Sequence, residues 1–327
     1  MNLPLKNYPK LPRILDRVVV VLIVITFLGV GAALLLPLLA KRLAALPRVV
    51  IIYTSQDQVY AEPILKEFER KSGIKVRAVY DSEAVKTVGL VNRLIAEKDH
   101  PQCDIFWNNE ELRTRQLAAR GVFDKWVAVG CRSRRIAVNT NKLSFAEAPH
   151  SLGELTNGIW RGKVALAYPL FGTTATHFLA LRQAWGDARW QSWCRALAAN
   201  KPFLVDGNSM AAKLVAQGEA WIGLTDSDDV AAEQREGAPI APLPLTEESL
   251  LVPNTIAIAY GAPHPAAAQQ LFEYLQRPEV VEKLVTVHAL ESVMTRSDST
   301  PALKPDWDKL LAGLDEGTTE LKGLFLR

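Results

Sequence analysis

The stretch "VVIIYTSQDQVYAEPILKEFERKSGIKVRAVY", residues 49–80, decides the fold. It opens on a short run of apolar, mostly β-branched residues, the composition of a buried strand. "QVYAEPILKEFERKSG" then places Ala61, Ile64, Leu65 and Phe68 at helical spacing, and Gly73 marks the stop. "IKVRAVY" returns to strand composition. A strand, a helix and a second strand in so few residues form one crossover unit, which sets two strands parallel.

The same alternation continues outward. "CDIFW" at 103–107 reads as a third strand, followed by a helix that Gly121 stops. After "RRIAVNTNKL" a second α/β set begins: strand "GKVALAYP", helix "TTATHFLALRQAWG", helix "ARWQSWCRALAAN", helix "MAAKLVAQGE", strand "AWIGLTD" and helix "DDVAAEQREG". "APLPL" and the apolar "LLVPNTIAIAY" bring the chain back, and the remainder is mainly helical. Such a pattern predicts largely parallel sheets covered by helices on both faces. No internal repeat or long low-complexity linker separates the halves, so two lobes sharing chain crossings are expected.

The chain has 327 residues and a formal charge of +3. Seven basic residues against Asp16 alone give residues 1–48 a balance of +6, so everything after Arg48 carries −3. That distribution leaves no basic footprint for nucleic acid on the globular part. Residues 18–40, "VVVVLIVITFLGVGAALLLPLLA", are uncharged. As a helix they would extend roughly 34 Å, so an uncleaved transmembrane anchor is expected, with residues 1–17 in the cytoplasm and the globular part outside. Cys103, Cys131 and Cys194 are odd in number and widely spaced, and make neither a disulfide framework nor a zinc site.

In open α/β sheets ligands bind beyond the carboxyl ends of the strands, and here those ends are polar. The first ends in Thr54, Ser55, Gln56 and Asp57, and the third in Asn108, Asn109, Glu110 and Glu111. In the second set Gly172, Thr173 and Thr174 open one helix and Asn208 and Ser209 another, where free N–H groups favour an anion. Thr225, Asp226 and Asp228 of "GLTDSDD", residues 223–229, open a third. Asp226 or Ser227 is the expected N-cap there, with the later aspartates offset by the helix dipole. Each cluster taken singly reads as an ordinary cap; their convergence is what a cleft between lobes requires. "RSRR" at 132–135 offers Arg134 and Arg135 for an anion, or is a solvated charge run. His177 either faces the cleft or packs. Trp190 and Trp193 form a core stripe. No nucleophile elbow, zincin motif, phosphate loop or dinucleotide fingerprint is present, which argues against an enzyme.

"VIIYTSQDQVYAEPILKEFERKSGIKV", "DIFWNNE", "GKVALAYPLFGTTATHFLAL", "GNSMAAKLVAQGEAWIGLTDSDDV" and "VPNTIAIAYGAPHPAAAQQLFEYL" together resemble the extracellular solute-binding proteins of bacterial ABC transporters, in the branch of the periplasmic ferric-ion-binding proteins. The resemblance runs from Val49 to about Leu290. It implies a type II periplasmic-binding-protein-like fold: two α/β lobes around a ligand cleft, joined by crossing strands and closing by hinge motion. Residues 49–139 with 253–327 would form the first lobe and 140–252 the second, all preceded by the one transmembrane helix. Ferric-binding members place a ligand after the first strand, where Asp57 stands, and a glutamate after the third, matched by Glu110 or Asn109. Their paired tyrosines correspond to Ser227, Asp228 and Asp229, so tyrosinate ligation is not available. A shell of Asp57, Glu110, Asp226 and Asp228 would suit a hard cation such as ferric iron, with a carbonate or phosphate on Gly172, Thr173, Thr174 and Asn208.

The expected function is a monomeric, membrane-anchored binding protein of the inner membrane, facing the periplasm. It would need no cofactor and would deliver a small ligand, ferric iron with a synergistic anion, to an ABC permease. Alternatives are a binding protein for a non-metal anion or small organic solute, and a ligand-binding sensory ectodomain. An enzyme using the acidic cluster is a third option.

Overall fold

The computed structural model describes residues 48–81, 88–294 and 301–326. The opening stretch folds as read, into β1 (Val49–Thr54), α1 (Gln58–Ser72) and β2 (Lys75–Tyr80), with β1 and β2 parallel. Helix α1 buries Tyr60, Ala61, Ile64, Leu65 and Phe68 and ends at Gly73, whose φ of 68° lets its N–H return to the Glu69 carbonyl. Burying each of the larger side chains contributes about 1.5–3 kcal/mol. Helix α2 (Val88–Ala96) leads to β3 (Ile105–Asn108), and α3 (Glu111–Ala119) follows. Strand β3 is parallel to β1 and buried along its whole length, so it carries no polar alternation.

Strand β4 (Phe123–Asn139) is 17 residues long because it serves two lobes. Its Phe123–Ser133 part pairs antiparallel with β9 (Leu251–Ala259), and its Arg134–Val138 part with β7 (Ile222–Asp226). Strand β9 in turn pairs antiparallel with β3. Between the crossing strands lie β5 (Val164–Ala167), α4 (Gly172–Trp185), α5 (Asp187–Ala199), β6 (Phe203–Val205) and α6 (Asn208–Ala216). After β7 come α7 (Ser227–Arg235) and β8 (Ile240–Pro242). The strand order is β2-β1-β3-β9-β4-β7-β5-β6, with β8 on β4. Beyond β9 follow α8 (Pro265–Leu275), α9 (Pro278–Thr286), α10 (Trp307–Ala312) and α11 (Leu314–Phe325).

Two pairs of cores result. On the first lobe, one face of the sheet packs Ile52, Trp107 and Ile256 against α1, α8 and α9, and the other packs Tyr53 and Phe106 against Leu90, Leu94 and Leu117. On the second, Val138, Leu166 and Leu224 meet α4 and α5, while Ala137 and Ala165 face α6, through Ala211 and Val215, and α7, through Val230. Trp190 and Trp193 belong to that larger core, and so do Trp307, Leu310, Leu314 and Leu321 of the last two helices. All three cysteines are buried free thiols. Burial pushes the Cys131 thiol up to about 12 and raises those of Cys103 and Cys194 as well.

The two-lobed α/β architecture stands, but the expected transmembrane helix is corrected. Residues 18–40 lie outside the described residues. Among the described residues no helix is long and apolar enough to cross a membrane. A spanning helix needs about 20 apolar residues, and the longest helix described, α1, has 15 residues and a charged face.

Candidate functional site

The polar strand ends meet in a cleft. From the first lobe Asp57 and Asn109 reach it; the crossing strand β4 supplies Arg132, and from the second lobe come Tyr168, Phe171, Gly172, Thr173, Asp206, Asn208, Ser209, Asp226, Asp228 and Asp229. The space between them is about 50 Å³ as the lobes stand, enough for one ion or a very small group.

On the first lobe the structure divides the expected residues by role. Ser55 Oγ donates to Asn108 Oδ1 at 2.6 Å and accepts from the Asn109 N–H at 2.9 Å, lashing the two loops together. Asn108 also donates to the Glu110 carbonyl at 2.6 Å. Ser55 and Asn108 therefore shape the loops, and Asn109 is the one presented to the cleft. Glu110 is the N-cap of α3: its carboxylate accepts the N–H groups of Leu112 at 2.8 Å and Arg113 at 2.9 Å. Thr176 of α4 donates to it at 3.3 Å. Glu110 is fully buried and does not line the cleft. Burial raises its pKa, more than the nearby Arg113 and its hydrogen bonds lower it.

On the second lobe the centre is Asp226, at the end of β7. Pairing of Arg134 with Asp226 across β4 and β7, and the two-residue strand period that puts Arg132 on the same face as Arg134, bring two guanidinium groups onto one carboxylate. Arg134 Nη1 donates to Oδ1 at 2.7 Å and Arg132 Nε to Oδ2 at 3.2 Å. Thr173 Oγ1 donates at 2.7 Å and Asn208 Nδ2 at 3.3 Å. Burial by itself would raise the Asp226 pKa, but Arg134 and Arg132 outweigh it and hold the carboxyl below its usual value. Asp226 occupies the N-cap position of α7, yet its side chain makes no capping bond: it is spent on the arginines. Asp228 lies in the first turn of α7, 3.5 Å from Arg132 Nε. Thr225 is buried and lines no part of the cleft: its single hydroxyl proton is shared between the Asn208 carbonyl at 2.8 Å and the Asp229 carboxylate at 3.0 Å. Thr174 is buried against Asn208 Oδ1 at 2.9 Å, so it positions Asn208 and leaves the cleft wall to Gly172 and Thr173.

Tyr168, Phe171 and Asp206 line the cleft without having stood out in the sequence, and of the RSRR run it is Arg132 that lines it rather than Arg134 or Arg135. The strand period was the available signal for Arg132; the others sit on loops, where no period applies. Arg135 points elsewhere, to Glu291 at 2.6 Å. His177 is buried, its Nε2 2.7 Å from the Glu248 carbonyl, and faces no part of the cleft.

Five aspartates against Arg132, with Arg134 directly behind, leave the site acidic. Oxygen atoms of Asp226, Asp228 and Asp229 lie within 4.8 Å of one another, a grouping able to hold a metal ion. Hard oxygen donors fit ferric iron; the arginines on Asp226 distinguish this set from an uncommitted carboxylate cage.

The family described as bacterial extracellular solute-binding protein matches residues 49–285, and the chain belongs to it. Its members recognise and transport solutes and are not catalysts, and no obligatory cofactor goes with the fold. The major ferric iron-binding protein of Neisseria meningitidis is 24% identical over 206 residues, 56% of this chain and 60% of that protein. The chain spans about 60% of the length of the curated relatives it matches. Iron-bound HitA from Pseudomonas aeruginosa superimposes with a TM-score of 0.71 at 21% identity, over 86% of this chain and 99% of that one. AfuA from Actinobacillus pleuropneumoniae, with fructose-6-phosphate bound, gives 0.73 at 19% identity, over 86% and 99%. Structural likeness at these identities shows the fold. The resemblance to extracellular solute-binding proteins read from the sequence is thus shown at the level of family, with ferric-binding proteins among its similar relatives, whereas the membrane-anchored, single-pass inner-membrane placement is withdrawn, since no spanning helix occurs among the described residues.

Proposed function

We propose that the chain is the solute-capturing component of an ABC import system. It takes a small cationic ligand, ferric iron first, into the cleft and delivers it to a permease outside the cytoplasm. The observation that carries this reading is the acidic cleft itself: Asp57 on one lobe faces Asp226, Asp228 and Asp229 on the other, and the last three have oxygens within 4.8 Å. Carboxylates from both lobes around one small volume would repel in the closed state unless a cation joined them, so ligand and closure are coupled. The helix starts at Gly172 and Asn208 could seat an accompanying carbonate or phosphate.

A second reading, a small organic solute, is favoured by Arg132. It sets one positive charge among the carboxylates, beside Asp226 and Asp228, so a solute carrying both signs of charge would match the wall as well as a bare ion.

Metal analysis of the purified protein and titration calorimetry with ferric citrate, phosphate and a panel of organic cations and zwitterions test both. Ferric iron at one per chain, weakened at least about tenfold in Asp57→Asn and in Asp228→Asn, is the result expected. Binding of an organic solute alone supports the second reading, and no binding by any of the panel defeats both.

A further inference from the structure

The second lobe holds a space larger than the cleft. A cavity of about 560 Å³ lies between β4, β7, α4 and the loops at 145–152 and 242–249. That volume is typical of a small-molecule site. Its walls are mainly apolar, with Ile136, Leu152, Leu224 and Leu243 among them.

Three polar atoms on its lining residues lack a hydrogen-bond partner: His177 Nδ1, Arg134 Nε and Arg135 Nε. His177 is fully buried and Arg134 is 1% exposed, so these atoms have also given up water. Orphaned buried groups of this kind are costly and call for an explanation. The histidine is neutral, because burial and the charge of Arg134 push its pKa down to about 3. Its Nε2–H is spent on the Glu248 carbonyl, which leaves Nδ1 as a bare acceptor. The two arginine Nε–H groups are donors. Both arginines already have carboxylate partners, Asp226 and Glu291, and the Glu248 carboxylate has Arg189 at 3.6 Å and accepts the Leu152 N–H at 2.6 Å. No uncompensated charge faces the space, so an ion gains nothing there.

We infer that this cavity is a second ligand site, taking a small uncharged amphiphile with an apolar ring body and one hydroxyl. A hydroxyl is the simplest group that can donate to the histidine acceptor while accepting from an arginine N–H; the apolar body replaces the missing neighbours of the leucine and isoleucine walls. Arg134 joins the two sites, since its Nη1 holds Asp226 and Asn208 at the cleft while the residue also lines the cavity.

Thymol and its hydroxyl-free counterpart cymene are suitable probes, measured on the full chain by equilibrium dialysis. Thymol should saturate at one site per chain and bind about tenfold tighter than cymene, the ~1.4 kcal/mol of one well-placed hydrogen bond. Ile136→Trp and Thr246→Trp, each checked for folding by circular dichroism, should abolish the saturable component by filling the space. His177→Leu should bring the two probes to near-equal affinity. Iron binding in the cleft is measured separately on the same filled variants, so loss of one site is not mistaken for loss of the other. Absence of saturable thymol binding, its survival in both tryptophan variants, or an unchanged thymol preference in His177→Leu would overturn the assignment.

Discussion

Replacing Asp226 by asparagine keeps the shape of the side chain and removes its charge. Two guanidinium groups depend on that charge: Arg134, whose side chain is 0% exposed, and Arg132, at 3%. Breaking one side of a buried ion pair costs about 3–5 kcal/mol, because the partner charge is left without compensation. Arg132 retains Asp228 at 3.5 Å, which places the expectation at the lower end, ~3 kcal/mol. With roughly 2–4 °C lost per kcal/mol in domains of this size class, Tm should fall by about 6–12 °C. The pH dependence gives an independent check. In the unfolded chain the carboxyl titrates at about 3.9, whereas Arg134 and Arg132, overcoming the opposing effect of burial, depress it in the folded protein. The folded carboxylate resists the proton that the unfolded one accepts. Its stabilising contribution is therefore complete above the unfolded value and is lost as pH falls through the folded one. The gap between wild type and Asp226→Asn should thus be widest near neutrality and close in strong acid. Urea denaturation at several pH values, followed by circular dichroism, measures this directly. Adding Arg134→Met to Asp226→Asn should recover a large part of the loss, since both charges then leave together. An Asp226→Asn variant within about 1 kcal/mol of wild type at pH 7 would refute the account of Asp226 as the counter-charge of this lobe.

Gly130→Ala should destabilise by about 2–5 kcal/mol in the same urea assay, the sum of left-handed backbone cost and overpacking. Gly130 has φ of 59°, and an added Cβ would come within 2.6 Å of Leu290 and 2.8 Å of the Ser292 carbonyl. A loss below about 1 kcal/mol would mean that β4 relaxes at the register shift between Val129 and Cys131 in its pairing with β9. Arg235→Ala should speed ligand release by about two- to fivefold in stopped-flow experiments, with little change in the association rate. Arg235 of α7 donates to the Tyr60 hydroxyl and to the Val287 carbonyl on the other lobe, both at 2.5 Å; an unchanged release rate would show that these rim contacts do not hold the lobes together.

Much of the site was legible because strand ends are legible. Asp57, Asn109, Thr173, Asn208, Ser209, Asp226 and Asp228 follow from where the apolar runs stop, and they do converge on the cleft. Glu110 was placed beside them by the same rule, but it turned inward to cap α3. A glutamate after a strand and before a helix can serve either end, and the choice is made by the α3 N–H groups it caps together with Thr176 of α4, which donates to its carboxylate. Ser55, Asn108 and Thr174 are similar cases: hydroxyls and amides at loop starts, which became loop ties once the neighbouring loop was in position.

The sequence by itself determined the alternation of strands and helices, the resemblance to solute-binding proteins and the acidity of the turn after β7. Those features are local or compositional, and they survive in any arrangement that buries the apolar runs. The tertiary structure decided what the acids do. Asp226 meets Arg132 and Arg134, 94 and 92 positions away in the chain, only because β4 runs antiparallel to β7 in one particular register. A slip of one residue would turn both arginines to the opposite face and leave Asp226 buried without a counter-charge. Register is fixed by the sum of packing on both faces of the sheet, and no single segment of sequence contains it.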